Sequence, residues 1–480
     1  MELKDNLELI MDYYELTMAN GMLESNIGNE VVYFDMFFRK VPDDGGFAIM
    51  AGIKQLIDYL NNLSFSDEDI EYLRSKNVFS ENFLDYLKNF KFCCDVWAVP
   101  EGTPVFPEEP IITVKGPIIQ AQLIETMLLL TINHQTLIAT KANRVVRAAN
   151  GRSVSEFGSR RAQGYAAALY GARAAYIGGC GSTACTRAEI EFGIPAVGTM
   201  AHSWVQMFDS ELDAFRAYAI RYPKNCTLLV DTYNTIKSGL PNAIKVFKEE
   251  ILPRGYRPYG IRIDSGDATY LSKKARQILD GEGFEDCKII ISNSLDEYKI
   301  RDMLSYGAKI DSFGVGERLI TSYTSPILGG VYKLCAIEKE GNIIPKIKIS
   351  DNITKINNPG FKNVWRIEDK ETGKYVADII TFFDEKIDES KPYMIFDPQS
   401  TWKKKTLTNF KAKCIRKKIF ENGKLCYNSP DVHEIQKYCK EQVSKLWDEV
   451  KRFENPHKYY VDLSERLWEE KQKLLSQREF

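Results

Sequence analysis

The sequence has no surplus of positive charge. Its 480 residues carry 64 Lys plus Arg against 66 Asp plus Glu. No net basic field draws the chain to nucleic acid or acidic lipid, so any anion site must be local. It has no long apolar run either: the most apolar stretch, around Met127 to Ile132, is far too short to span a bilayer. The opening residues MELKDNLELIMDYYELTMANGML carry acids early and no basic flank ahead of an apolar run, so no signal peptide is expected there. The ten Cys lack metal-ligand spacing; Cys93-Cys94 are adjacent, and Cys180 and Cys185 flank a Gly-rich turn. Reduced thiols and a cytoplasmic location are the expectation. Repeats and low-complexity tracts are missing too. What is present is a soluble composition, 44% hydrophobic and 27% charged. The length is too great for one simple core and implies several domains.

Residues 1–130 mix helices with short strands. Asp67 to Phe92 reads as helical behind a capping Ser66. Val96 to Lys115, rich in Pro and β-branched residues, fits short antiparallel strands, and Gln120 to Ala149 reads as a long helix. Over 131–340 the pattern changes to short apolar runs, each ending in Gly or a polar residue before a helical segment. They are Ser153-Val154-Ser155, Ala175-Tyr176-Ile177, Ala196-Val197, Leu228-Leu229-Val230, Ile261-Arg262-Ile263, Ile289-Ile290-Ile291 and Ile310 to Phe313. Such units build an α/β barrel or a doubly wound sheet. Polar residues follow nearly every run, which favours the barrel, where all strand ends converge; in an open sheet only those near the switch point meet. Over 341–480 charge density rises. Lys403-Lys404-Lys405 reads as a solvated turn, and Val432, Ile435, Cys439, Val443, Leu446, Val450 and Phe453 have helical spacing.

The strand ends collect the reactive side chains. His202, in Gly198-Thr199-Met200-Ala201-His202-Ser203-Trp204, can donate, accept or be phosphorylated, and Asp231 could hold its ring in one tautomer. Arg262 and Asp264 alternate along one strand and so share a face, a guanidinium for phosphate or carboxylate beside an acid for hydroxyls or Mg²⁺. Arg160 and Arg161 follow Phe157-Gly158, and Gly314-Val315-Gly316 could cradle phosphate ahead of Glu317-Arg318-Leu319. Singly, each has a plainer reading: a packing histidine, a helix-capping Asp, a tight bend, solvated arginines. Together they fall at the same end of consecutive predicted strands, which points to a phosphate-handling enzyme. A sugar-phosphate aldolase or lyase would want a Schiff-base Lys or a bound metal, and no Lys stands at these ends. A binding protein without turnover is the remaining alternative.

These residues lie in segments that resemble the nicotinate phosphoribosyltransferase family. The segments are YYELTMA from Tyr13, FDMFFR from Phe34, EFGSRR from Glu156, GTMAHSW from Gly198, VDTYNT from Val230, IRIDSGD from Ile261, SNSLD from Ser292, and GVG from Gly314. The resemblance implies an N-terminal α/β domain at 1–130 and an irregular, TIM-like α/β barrel at 131–340. A C-terminal extension at 341–480 would pack near the first domain. It also implies that nicotinate is joined to phosphoribosyl pyrophosphate, giving nicotinate mononucleotide and pyrophosphate with coupled ATP hydrolysis, in NAD salvage. In that reading ATP phosphorylates His202 and Asp231 orients it. Phe157 stacks on the pyridine ring, and Tyr14 of a partner subunit in a homodimer covers the other face. Arg262 serves base and ribose, Asp264 the ribose hydroxyls or Mg²⁺, and Arg160, Gly314 and Gly316 the phosphates. Thr199, Ser203 and Asn293 stand in the same motifs as substrate contacts. The related nicotinamide enzyme places an aspartate after its Gly-rich strand end. Here Gly179 to Thr183 offers the hydroxyls of Ser182 and Thr183 and no acid, which favours nicotinate. Glu317 departs from the Thr that many relatives have.

Overall fold

The computed structural model describes residues 7–351 and 355–477. It divides into two compact units, one built from the chain up to Leu137 and again from Ile327, the other from Ile138–Pro326. Among the described residues no helix is long and apolar enough to cross a membrane.

The first unit carries a seven-stranded sheet in which early and late sequence interleave. Val31–Phe37 lies between Ile112–Pro117 and Val331–Lys339, and Asp95–Ala98 pairs with Lys417–Glu421, all antiparallel. VVYFDMF is β-branched and aromatic and buried almost throughout. Asp35 within it is tolerated because Lys362 Nζ lies 2.7 Å away and Thr113 donates its hydroxyl. A four-stranded sheet of Phe410–Cys414, Lys362–Asp369, Tyr375–Phe382 and Tyr460–Leu463 holds a second buried pair. Arg366 donates Nε and Nη2 to Asp378 at 2.9 and 2.5 Å, and Tyr459 adds its hydroxyl at 3.1 Å. Ser66 caps Asp67–Ser75 through a capping box with Asp69, but the helix expected to reach Phe92 is two, because Ser80 caps a new one at Glu81–Lys88.

The second unit is built on six parallel strands: β1 (Ser153–Glu156), β2 (Ser182–Thr183), β3 (Thr227–Leu229), β4 (Gly260–Ile263), β5 (Lys288–Ile291) and β6 (Ser312–Val315). Their order is β2-β1-β6-β5-β4-β3, and Thr183 bridges on to Ala196. Neighbours in the sheet are thus neighbours in the chain, except that the first strand, β1, pairs with the last, β6, which makes the order cyclic. No ladder joins Ala196 to β3 among the described residues, so the ring expected of a closed barrel is left open there. The bridge at Ala196 is made by the Thr183 N–H to Pro195 O at 3.1 Å and the Val197 N–H to Thr183 O at 2.8 Å, and residues 198–201 run on without strand pairing. Ala175 to Ile177, read as a strand, is the end of the helix Tyr165–Ile177. That segment is alanine-rich, and its last seven residues are buried. A continuous apolar run of that kind hides helical periodicity.

The Arg366–Asp378 pair is 2% and 0% exposed, and the fully buried Glu109 lies beside it, so removing Arg366 strands carboxylates in the interior. Arg366→Ala should cost about 3–5 kcal/mol, read as a lowered denaturant midpoint. A loss below about 1 kcal/mol would place the pair in a wetter setting.

Candidate active site

Parallel pairing brings the residues just past β3, β4 and β5 together. Asp231 follows β3 and turns its Oδ2 toward β4, accepting from the Asp264 N–H at 2.9 Å and the Ser265 hydroxyl at 2.6 Å. Asp264 follows β4, and its Oδ1 accepts the Ser292 hydroxyl from the end of β5 at 2.5 Å. Its Oδ2 lies 3.8 Å from His202 Nε2. His202 opens the short helix His202–Gln206, and its Nδ1 shares a 3.1 Å hydrogen bond with Thr232 Oγ1. Arg262 on β4 donates Nη1 to Thr199 Oγ1 at 2.7 Å. Burial lowers the Arg262 guanidinium, Asp264 and Asp231 oppose that, and Arg160 adds to it. His202, Asp231, Asp264, Arg262 and Thr199 therefore form one cluster, with Arg160 exposed beside it.

The geometry corrects the expected partner of His202. Asp231 is engaged with the backbone and side chain that follow β4, so it positions Asp264, while Thr232 and Asp264 flank the ring. Three buried atoms of this region have no partner among the described residues: Asp231 Oδ1, Arg262 Nε and Ser159 Oγ. Buried polar atoms are nearly always satisfied, so atoms left this way ask for water, an ion or a ligand.

Other expected contacts fall differently. The Ser182 hydroxyl shares a 2.8 Å bond with Ser155, and the buried Thr183 hydroxyl donates to Glu156 Oε2 at 2.7 Å. Both are used within the sheet, because each lies directly beside its partner on β1, Ser182 beside Ser155 and Thr183 beside Glu156. Gly314 is a strand residue, not part of a loop. A Cβ there would lie 2.5 Å from Phe157 Cδ2, so this glycine leaves room for the Phe157 ring. Gly316 packs against the backbone of Phe157, and the following helix Glu317–Ile320 is a single turn. Glu317 reaches Arg161 at 3.7 Å. Ser203 and Asn293 are exposed beside the cluster. Tyr14 belongs to the other unit, where it is 44% exposed, and burial with the charge of Glu125 raises its hydroxyl.

Thr232, Ser265 and Ser292 hydrogen-bond into the cluster, and Glu156 binds the turn and strand beside it; residue-by-residue reading passes over all four. The signal for the first three was available: each stands within one or two residues of a strand-end acid or opens a polar run. Glu156 carries none, since a strand-terminal Glu is expected at the surface and here it is fully buried.

Comparison with known proteins gives three matches along the chain, the last two overlapping. The N-terminal domain of nicotinate phosphoribosyltransferase matches residues 9–133, the nicotinate phosphoribosyltransferase family 152–382, and its C-terminal domain 361–471. The nicotinate phosphoribosyltransferase of Bacillus subtilis is 44% identical over 97% of this chain and 95% of its own. That of Caenorhabditis elegans is 34% identical over 96% and 92%. The crystal structure of human nicotinic acid phosphoribosyltransferase superposes with a TM-score of 0.86 at 27% identity, covering 97% of this chain and 99% of that one.

Gly314→Ala tests the fit around Phe157. The added methyl must push the ring aside at about 1–3 kcal/mol, seen as a lower melting point and a rotated ring in a crystal structure. An unchanged ring position would show that the pocket has slack.

Proposed function

The chain belongs to the nicotinate phosphoribosyltransferase family, and on that premise we propose that it couples phosphoribosyl transfer onto nicotinate to ATP hydrolysis through a phosphohistidine at His202. The observation that carries the reading is the gathering of His202, Thr232, Asp264, Asp231, Arg262 and Thr199 past the strand ends, through pairwise hydrogen bonds and the 3.8 Å approach of His202 to Asp264. In the transfer, the pyridine nitrogen bonds to C1 of the sugar as the C1–oxygen bond to pyrophosphate breaks. Positive charge builds on the sugar ring and negative charge on the leaving group, so catalysis is positioning and charge stabilisation. Arg262 and Arg160 supply fixed positive charge for the phosphates. Phe157 offers a face for the flat base, and Tyr14 the opposite face from the partner subunit of a homodimer.

Thr232 restrains the His202 ring, which leaves a ring nitrogen to accept the γ-phosphoryl of ATP as ADP departs. Water then takes the phosphoryl group to give inorganic phosphate. The new charge on His202 sits beside Asp264 and Arg262 and tightens the sugar-phosphate site until hydrolysis releases product. Among the described residues no three His, Cys, Asp or Glu side chains converge to hold a metal alone. Asp264 and the unpartnered oxygen of Asp231 are hard donors in the number that suits Mg²⁺ arriving with substrate phosphates. Bound there, the ion supplies charge neutralisation for pyrophosphate.

Because Ser182 and Thr183 are engaged inside the sheet, the preference for nicotinate over nicotinamide rests on family membership. We read the cyclic strand order as an irregular barrel interrupted after Ala196, and the location as cytoplasmic.

Incubation with nicotinate, phosphoribosyl pyrophosphate and Mg²⁺, with and without ATP, should give more mononucleotide with ATP and ADP in step with it. His202→Ala should abolish the coupled ADP while slow mononucleotide formation persists. Coupled hydrolysis surviving in that variant would contradict the role.

A further inference from the structure

Resting on the reading of Phe157 as the ring that holds the base, we propose that Glu156 is a positioning residue that clamps Phe157 in place from behind. Glu156 ends β1 and is fully buried. Its two carboxylate oxygens grip different elements. Oε1 accepts the Gly158 N–H from the turn just beyond Phe157, and Oε2 accepts the Thr183 hydroxyl from β2 at 2.7 Å. Thr183 Oγ1 in turn accepts the Cys185 N–H at 3.0 Å, so donor and acceptor roles of that hydroxyl are both used. The Glu156 carbonyl takes the Ala184 N–H at 2.8 Å, and the Phe157 N–H goes to Val315 on β6 at 2.8 Å. The backbone of Phe157 is thus fixed from three directions.

The space around the ring is fitted to this arrangement. A Cβ on Gly158 would lie 2.6 Å from Ile320 Cβ and 2.8 Å from Glu156 Oε1, and one on Gly314 would strike the ring itself. The turn can close onto the carboxylate only because Gly158 is there.

A buried carboxylate is costly, and Glu156 has no cation to offset it among the described residues. Burial raises its proton affinity, and the Thr183 and Gly158 bonds oppose that. The nearby Cys180 thiol is itself kept neutral by burial. If packing were all this position required, an apolar side chain would serve better. What an apolar side chain cannot do is accept two hydrogen bonds, one from the turn just beyond Phe157 and one from β2. The cost is therefore tied to the geometry of the ring, and Thr183 acts through Glu156 without touching the base.

The test is steady-state kinetics of the full chain with nicotinate and phosphoribosyl pyrophosphate varied separately. Glu156→Ala should raise KM for nicotinate about tenfold or more while KM for phosphoribosyl pyrophosphate stays within about twofold. Glu156→Gln keeps an acceptor for the Gly158 N–H and should recover most of the loss. Thr183→Val, isosteric and lacking the hydroxyl, should fall between and decides the matter if Glu156→Ala is too unstable to assay. Both KM values rising together, or Glu156→Gln failing as badly as Glu156→Ala, would overturn the clamp. Phe157→Ala separates the two levels. If it raises KM for nicotinate and the Glu156 and Thr183 variants do not, the clamp alone is wrong. If it leaves KM unchanged, the reading of Phe157 fails and takes the clamp with it.

Discussion

Parallel strands in one sheet all end on the same side, and every feature of residues 138–326 that bears on chemistry depends on that constraint. The ladder is carried past the strand ends by three backbone bonds: Val230 N–H to Arg262 O at 3.1 Å, Ser292 N–H to Ile263 O at 3.2 Å and Phe157 N–H to Val315 O at 2.8 Å. These hold neighbouring ends level, so Asp231, Asp264 and Ser292 reach one another although they are far apart in the chain. Side chains then lock what the ladder has aligned: Ser292 fixes Asp264, and Asp231 fixes the backbone that carries it. His202 is held more lightly, since it follows an extended segment outside the ladder and depends on Thr232 and Asp264.

The cluster is arranged at some expense to stability. Among the described residues, Asp231 and Arg262 each bury a polar atom with no partner, and Glu156 buries a carboxylate without a counter-ion. Such features lower stability unless a ligand completes them, and they are what a site prepared for charged substrates requires: donors and acceptors already in place, with little left to reorganise. In the other unit Asp35 with Lys362, and Asp378 with Arg366, are buried ion pairs whose partners meet directly, although Arg366 Nη1 too has no partner among the described residues. What marks the strand ends is that Asp231 and Arg262, each with such an atom, gather there with His202 and Asp264.

Much of this was legible in the sequence because a strand end has a readable signature. Short β-branched runs followed by Asp or Ser located β3, β4 and β5, and alternation placed Arg262 and Asp264 on one face. The illegible parts have physical causes. Alanine-rich, wholly buried sequence at Ala175 to Ile177 carries no period, so a helix end passed for a strand. Ser182 and Thr183 read as free donors, since sequence does not give the register that sets them beside Ser155 and Glu156. The lysines at 403–405 read as a turn, yet they lie in the strand Ser400–Leu407, whose mostly exposed side chains give no hydrophobic alternation. Gly314 read as phosphate cradle when its missing side chain makes room for a ring brought from another strand. Asp231 was placed correctly and given the wrong neighbour, because proximity at a strand end does not tell which way a carboxylate turns.

The central claim is that His202 carries the phosphoryl group that links ATP to transfer. It is tested most directly by incubating the protein with Mg²⁺ and ATP labelled at the γ-phosphoryl, quenching in alkali and mapping the label to a peptide. The account predicts acid-labile label on the peptide containing His202 and none in His202→Ala. Label on another residue, or ADP formed in step with mononucleotide with no label on the protein at any time, would contradict it.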